Sequence, residues 1–321
     1  MKKLLVLGLL VGAAIVAGLY FIQGWSASGP ARAPVSVVIA PGSSLASAAE
    51  QLEDAGVIGS SQRFLLQAKL FGGGAPIQAG EFEFPARASH SQVLAMLQTG
   101  KTLQRMVTVP EGLPSVLVHE RLMNAPALTG DAPVPEEGSV LPDSYSYQRD
   151  EPRAAVLERM QKAMRDTLAE LWPKRSPNSV VKSPEEAVIL ASIVEKETGK
   201  ASERPMIAGV YSNRVRIGMK LDADPTVIYP ITKGRPLGRR ILRSELQAQN
   251  GYNTYAMAGL PVGPIANPGR ESIRAVLNPA ETDALYFVAD GTGGHIFAST
   301  LAEHNANVQK WYALRRARGE M

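Results

Sequence analysis

Two glutamates stand two residues apart in the segment ASIVEKETG. A carboxyl group can act as a general acid or base when it is held at the right pKa. The segment closes a predicted helix over about 184–198, in which each residue turns by about 100°. On this helix Glu197 shares a face with Ile193 and Val194, whereas Glu195 points almost the opposite way.

We expect a raised pKa for Glu197, because apolar neighbours disfavour the ionised form of a carboxyl. A carboxyl that is neutral near pH 7 is what the general acid of a glycosidase requires. Glu195 is expected to be an ordinary solvated residue, whose replacement by glutamine would leave most activity. In the alternative, the apolar face reaches solvent in the last turn and Glu197 is exposed.

The ends of this helix carry complete sequence signals. Ser183 is a good N-cap, Pro184 suits the first helical position, and Glu186 completes a capping box. Gly199 is placed to end the helix as the residue after the C-cap.

The amino-acid composition excludes several other classes of function. The chain has 321 residues, 45% of them hydrophobic, and a net charge of +4. It has no basic stripe interleaved with aromatic residues, so nucleic acid is not an expected partner. Cysteine is absent, which excludes disulfides and thiolate metal sites. The four histidines lack metal-ligand spacing, so we expect neither a metal nor another cofactor.

The N-terminus MKKLLVLGLLVGAAIVAGLYFIQGW predicts a membrane anchor. Residues 4–22 form an uncharged apolar run, and about 19 helical residues span roughly 28 Å. Lys2 and Lys3 before the run place the N-terminus in the cytoplasm. We therefore predict a single-pass protein of the inner membrane with its remaining domains in the periplasm. The alternative is a cleaved signal peptide, with ARA at 31–33 as the cleavage site.

The chain after the anchor is predicted to be α+β. Two related strand–turn–helix units, with Gly42 and Gly112 at matching turns, could bind glycan, pack against a partner domain or act as a spacer. The expected divisions are an anchor at 1–25, a linker at 26–34, an α+β region at 35–123, an inter-domain loop at 124–150 and a mixed α+β domain at 151–321.

Three long segments carry a family resemblance. ASIVEKETGKASERPMIAGVYSNRVRIGMKLDADPTVIY, YNTYAMAGLPVGPIANPGRESIRAVLNPA and LYFVADGTGGHIFASTLAEHNANV closely resemble the endolytic murein transglycosylases, the YceG-like family. The N-terminal region resembles that family's LysM-like subdomain. The family's catalytic glutamate matches the second Glu of EKET, which is Glu197 and lies near the end of its helix.

The resemblance implies an enzyme that cleaves the β-1,4 bond between N-acetylmuramic acid and N-acetylglucosamine within nascent strands. Each cut would leave a 1,6-anhydromuramyl end and terminate strand elongation. The implied partners are nascent glycan strands, inner-membrane lipid and peptidoglycan synthases of the penicillin-binding class.

Aromatic and amide side chains suited to sugars should line the groove. The candidates for substrate binding are Asn213, Asp224, Thr226, Tyr229, Tyr252, Asn253 and Tyr255. Each of these residues, and Arg214 beside the first, could equally be structural.

Two other functions stay open on the sequence. A muramidase would use water instead of the sugar's own hydroxyl and would need Asp222, Asp224 or Asp290 to face Glu197. A membrane-tethered scaffold that binds glycan without cutting it is the other alternative.

Overall fold

The computed structural model describes residues 12, 15, 16 and 18–320. The chain divides into two compact units, Met1–Arg105 and Met106–Met321. Most of the predicted anchor at 1–25 lies outside the described residues. Among those that are described, no helix is both long and apolar enough to cross a membrane.

The first unit combines a strand pair with helices. Its elements are β1 (Val35–Ile39), α1 (Leu45–Asp54), α2 (Ser61–Phe71), β2 (Gly80–Phe84) and α3 (His90–Thr99). The two strands are antiparallel, with Val37 opposite Phe82. Alternate strand residues enter the core, because successive side chains of a strand point to opposite faces.

The predicted strand–turn–helix unit at the start of this region is confirmed. Gly42 takes the left-handed conformation in the turn, with φ of 80°, and the Ser44 side chain accepts a hydrogen bond from the backbone of α1. Ala48, Ala49 and Leu52 are buried, as their helical spacing predicts.

The remaining elements build a mixed α+β arrangement around the predicted catalytic helix. They are β3 (Arg105–Thr108), α4 (Ser115–Met123), β4 (Ser144–Tyr147), α5 (Arg153–Leu171), α6 (Pro184–Glu197), α7 (Arg204–Arg216), α8 (Asp224–Thr232), α9 (Arg243–Leu246), α10 (Arg270–Leu277), β5 (Tyr286–Ala289), β6 (His295–Ala298) and α11 (Leu301–Ala317). β3 pairs with β4, and β5 pairs with β6 in antiparallel register.

The boundary between the units differs from the one expected at residue 123. Residues 106–123 belong to the second unit because Val107, Val118 and Leu122 share a hydrophobic core with Met160 of α5. The segment expected to be an inter-domain loop contains β4 and contributes to the same core. The repeated strand–turn–helix pattern could not show which core each copy would join.

Helix α6 begins at the predicted residues with Ser183 as its N-cap, but Glu186 does not complete the predicted capping box, and the helix ends differently. Ser183 Oγ accepts the backbone N–H of Glu186 at 3.2 Å, while the Glu186 carboxylate accepts that of Lys182 at 2.6 Å. Gly199 is not left-handed. The helix stops because Thr198 is extended, with φ −140° and ψ 134°, and its hydroxyl accepts the N–H of Lys200 at 3.0 Å.

The segment at 265–269 runs beside α6 and joins distant parts of the second unit. Ile265 donates its N–H to Ser192 Oγ at 3.1 Å. Asn267 is fully buried, and its side chain bonds Val140 N–H at 3.0 Å and Leu113 carbonyl at 2.9 Å. Buried polar groups need such partners, so these bonds fix the course of the segment along the helix.

Candidate active site

Glu197 is the last residue of α6 and lies against its apolar face. That face is fully buried at Ala187, Leu190, Ile193 and Val194. Within the described part of the chain, Glu197 Oε1 is buried and has no hydrogen-bond partner. Glu197 as a whole residue is half-buried, so the predicted withdrawal of its carboxyl from water is confirmed at Oε1, and the alternative of an ordinary exposed residue is wrong.

The surroundings of Glu197 favour its neutral form. Burial is the largest cause and raises its pKa to about 7. A hydrogen bond from Tyr211 lowers the pKa, the negative charge of Asp224 raises it, and His295 and Arg214 lower it. Desolvation therefore prevails over the nearby hydrogen bond and positive charges.

Tyr211 of α7 supplies a buried donor to the Glu197 carboxyl. Its side chain is almost fully buried, and its ring meets that of Phe287 edge-on at 5.8 Å. Burial, then the charge of Glu197, raises the pKa of Tyr211 well above its ordinary value. The phenol therefore stays protonated and can donate to Glu197 in either ionisation state.

Asp224 and Tyr255 are the two predicted groove residues that interact electrostatically with Glu197. Tyr255 donates its hydroxyl to Asp224 Oδ1 at 2.7 Å. Asp224 is exposed in the first turn of α8, where the helix dipole favours a negative charge. The site thus pairs one buried carboxyl with one exposed carboxylate.

Three of the predicted sugar-binding side chains are occupied by hydrogen bonds within the protein. Thr226 is buried and bonds Ala223 carbonyl and Thr254. The Asn253 amide donates to three backbone carbonyls of the 245–248 segment. The Asn213 amide donates to two carbonyls in the 282–284 segment. These bonds give each residue a structural role, and sugar contact stays a prediction.

The remaining two tyrosines form a pair. The rings of Tyr229 and Tyr252 lie 5.0 Å apart. Tyr229 also hydrogen-bonds Glu137, a carboxyl whose pKa burial raises. Tyr252 is only half-buried and can offer an aromatic face, which suits the apolar face of a sugar.

A second polar cluster borders the site and was not predicted from the sequence. His295 Nδ1 lies 2.8 Å from Glu203 Oε2, and the backbone N–H of His295 donates to Oε1 of the same carboxylate. Thr198, the residue after Glu197, donates to Glu203 at 3.4 Å. Adjacency to the EKET motif was the available signal, because Glu203 follows its last residue, Thr198, by five positions.

Arg214 has a structural role that also brings positive charge to the site. Its guanidinium donates to the carbonyls of Leu285 and Leu221, each at 2.7 Å, and lies over the Tyr286 ring. Its spacing from Tyr211, three residues along α7, places both on one side of that helix.

Glu195 is not the solvated residue that the helical projection predicted. Its side chain is 5% exposed and bonds Arg204 Nη2 at 3.0 Å, and it accepts the N–H of Gly269 at 2.9 Å. The projection correctly placed it away from Glu197, but that side of α6 is covered by other parts of the second unit.

Comparison with known proteins assigns the fold family. The YceG-like family model matches residues 37–310. The chain belongs to the YceG-like family. A crystal structure of a YceG-like protein from Listeria monocytogenes matches with 28% identity and a TM-score of 0.52, covering 85% of this chain and 98% of that one.

Two relatives of this YceG-like chain are endolytic murein transglycosylases. The one from Bacillus subtilis (strain 168) is 36% identical over 180 residues, which are 55% of this chain and 48% of that protein. The one from Streptococcus pneumoniae (serotype 2, strain D39) is 27% identical over 324 aligned positions, covering 85% of this chain and 58% of that protein. The chain therefore spans about half of the length of these relatives.

The buried acid of this YceG-like chain should reduce its stability at alkaline pH. A carboxyl whose pKa is higher in the folded state contributes stability at low pH, and this is lost as pH rises through about 7. Glu197→Gln removes the ionisation, so it should raise the free energy of unfolding by about 2–3 kcal/mol at pH 8.5 and change it little at pH 5. Urea denaturation at the two pH values measures this. An equal effect at both would contradict the assigned burial.

Proposed function

We propose that this chain is an endolytic lytic transglycosylase of nascent peptidoglycan, a carbon–oxygen lyase. It cleaves the β-1,4 bond between N-acetylmuramic acid and N-acetylglucosamine and leaves 1,6-anhydromuramyl ends, which terminates strand elongation. The observation that carries the proposal is Glu197, a buried carboxyl with a pKa raised to about 7 and an unpartnered oxygen. Membership of the YceG-like family and the two transglycosylase relatives support it.

The first step is proton donation by neutral Glu197. Its proton passes to the glycosidic oxygen as the bond from that oxygen to C1 of the muramyl residue breaks. Positive charge develops on C1 and the ring oxygen in an oxocarbenium-like transition state. The exposed carboxylate of Asp224, held by Tyr255, is the negative group available to stabilise that charge.

The second step closes the anhydro ring. Glu197, now a carboxylate that accepts the Tyr211 hydroxyl, takes the proton from the muramyl 6-hydroxyl as O6 bonds to C1. The acid is thereby returned to its starting state, and no water is consumed. One carboxyl that changes between acid and base suffices for both steps.

A muramidase is the second candidate, and Asp224 is the residue that favours it. A muramidase would need one of three aspartates to face Glu197. Of these, Asp290 is bound to its own turn through Thr292 and Gly294, and Asp222 lies 4.0 Å from Arg214. Asp224 alone among them acts on the pKa of Glu197. It would then activate water, and the product would be a reducing end.

We further propose that the region expected at 35–123 is LysM-like and binds glycan through residues 35–99, the part that belongs to the first unit. The β1–α1–α2–β2 order of the first unit, with its antiparallel strands, supports this proposal. Hydrogen exchange of residues 35–99 should slow when uncrosslinked glycan strands are added. Unchanged exchange in that region would contradict the proposal.

Residues 1–25 are proposed to anchor the chain in the inner membrane, with the catalytic part in the periplasm near the synthases that extrude new strands. The apolar run after Lys2 and Lys3 supports this topology. Alkaline phosphatase fused after residue 321 should therefore be active, because the enzyme requires periplasmic export. Recovery of a mature soluble chain that begins near residue 34 would instead indicate a cleaved signal peptide.

Glu197→Gln should abolish cleavage of uncrosslinked glycan strands, because the amide cannot donate and retake the proton. Mass spectrometry of the new ends gives the readout, with Glu185→Gln as a control that removes a charge from the exposed first turn of the same helix. Anhydro ends from the unaltered protein are expected. Reducing ends would establish the muramidase, and full activity of Glu197→Gln would refute both functions.

The dependence of the rate on pH should report the ionisation of Glu197. The acid must be protonated to donate, so kcat/KM should fall on the alkaline side with a midpoint near pH 7, tenfold for each further pH unit. Steady-state cleavage of a defined glycan oligomer between pH 5 and 9 measures this limb. A profile that stays flat to pH 9 would exclude Glu197 as the acid.

A further inference from the structure

The carboxylate of Glu195 is the centre of a buried polar network on the side of α6 away from Glu197. Arg204 Nη2 lies 3.0 Å from Glu195 Oε1 and 2.6 Å from Glu111 Oε2. Gly269 donates its N–H to Glu195 Oε2 at 2.9 Å. Arg204 and Glu195 are 9% and 5% exposed, so both charges are withdrawn from water.

This network holds the last turn of α6 against three other segments of the second unit. Arg204 is the first residue of α7, Gly269 immediately precedes α10, and Glu111 lies in the loop after β3. The Glu111 carboxylate packs directly on Gly269 and occupies the space that a side chain there would take. Glu195 is therefore bonded directly to two of these segments, through Arg204 and Gly269, and is linked to the third through Arg204.

Two further contacts extend the attachment along the same part of the helix. Ser192, three residues before Glu195 and on the same face, accepts the N–H of Ile265 at 3.1 Å. Lys196 Nζ donates to the carbonyl of Gly112 at 3.4 Å. The turn that presents Glu197 is thus attached on one side by polar contacts and packed on the other by apolar ones.

We propose that Glu195 is a positioning residue, which with Arg204 fixes the final turn of α6 so that the Glu197 carboxyl stays in its water-excluded place. This inference rests on the proposed function, because Glu195 can position a catalytic acid only if Glu197 is one. A buried ion pair is weak evidence of stabilisation, because desolvation offsets its attraction, whereas removal of one partner leaves a buried charge uncompensated. The arrangement is better explained by the geometry it imposes on the neighbouring acid.

The charged and titratable groups around both carboxyls are known. Glu197 faces Tyr211 and Arg214 from α7, Asp224 from α8, Tyr255, and His295 from β6. Glu195 faces Arg204, with Glu111 beyond it. Loss of the Glu195 network would let the last turn move and admit water to Glu197, which lowers the pKa of its carboxyl toward the ordinary value.

The test compares Glu195→Gln with Arg204→Lys. The first removes a negative charge and leaves one acceptor oxygen where two donors, Arg204 Nη2 and the Gly269 N–H, converge. The second keeps the positive charge but loses the planar group that reaches both carboxylates. Glu185→Gln is the matched control, since it removes the same charge from an exposed position on the same helix.

The first readout does not depend on activity. In chains labelled with carboxyl-13C glutamate, the Glu197 signal is assigned by its absence in Glu197→Gln, and its titration gives the pKa directly. If Glu195 has a positioning role, the titration midpoint of Glu197 should fall by about one pH unit or more in both Glu195→Gln and Arg204→Lys. The Glu185→Gln control should leave it unchanged.

The second readout is the reaction. Both variants should lower kcat at pH 7 by about 10- to 100-fold and move the alkaline limb to lower pH. KM should change by less than about twofold, because Asp224 and Tyr255 keep their own hydrogen bond. If the unaltered chain does not cleave glycan but the Glu197 midpoint falls in both variants, the proposed function fails and the positioning role stands.

Two results would overturn the inference. A pKa change in Glu195→Gln with none in Arg204→Lys would mean that only the lost charge acts on Glu197. No change in either variant would mean that the network serves folding alone. Should Glu195→Gln fail to fold, Glu111→Gln at the half-exposed end of the network takes its place. Glu111→Gln should lower the Glu197 midpoint by a smaller amount. An unchanged midpoint in Glu111→Gln would equally refute the positioning role.

Discussion

Keeping one carboxyl out of water is the constraint on which the rest of this site depends. A pKa near 7 in place of 4.5 means that ionised Glu197 is disfavoured by about 3 kcal/mol. The surrounding structure has to supply that free energy. It does so through α6, whose residues from Ala187 to Val194 are largely buried in the main core of the second unit. A carboxyl whose ionised form opposes folding is thus placed at the end of a helix that the core buries.

The same helix end holds two carboxyls in contrasting environments. Glu195 is met by a guanidinium and a backbone N–H, whereas Glu197 Oε1 has no partner in the described structure. Burial alone therefore does not distinguish a working acid from a structural one. The distinction lies in the donors that reach each group, and these come from α7 and from the segment that precedes α10.

The sequence predicted the features that depend on neighbours along the chain. These include the start of α6, its apolar face, the placement of Glu197 on that face, and the resemblance to the YceG-like family. It failed for Glu195 because the groups that bury this residue are nine and 74 positions away. It also missed the Glu203–His295 contact, which spans 92 positions. Helical projection identifies faces of one helix, but not which other elements cover them.

The unpartnered oxygen of Glu197 has a consequence for what the site can recognise. Among the residues that the structure describes, this atom has no hydrogen-bond partner, and a buried polar group in that condition costs about 1–3 kcal/mol. The linking oxygen of a bound glycan strand is an acceptor that a neutral carboxyl can satisfy. Binding at this site therefore depends on how well the linking atom accepts a hydrogen bond from Glu197. A strand joined through sulfur or carbon would offer a far weaker acceptor, or none, and would leave the acid unsatisfied.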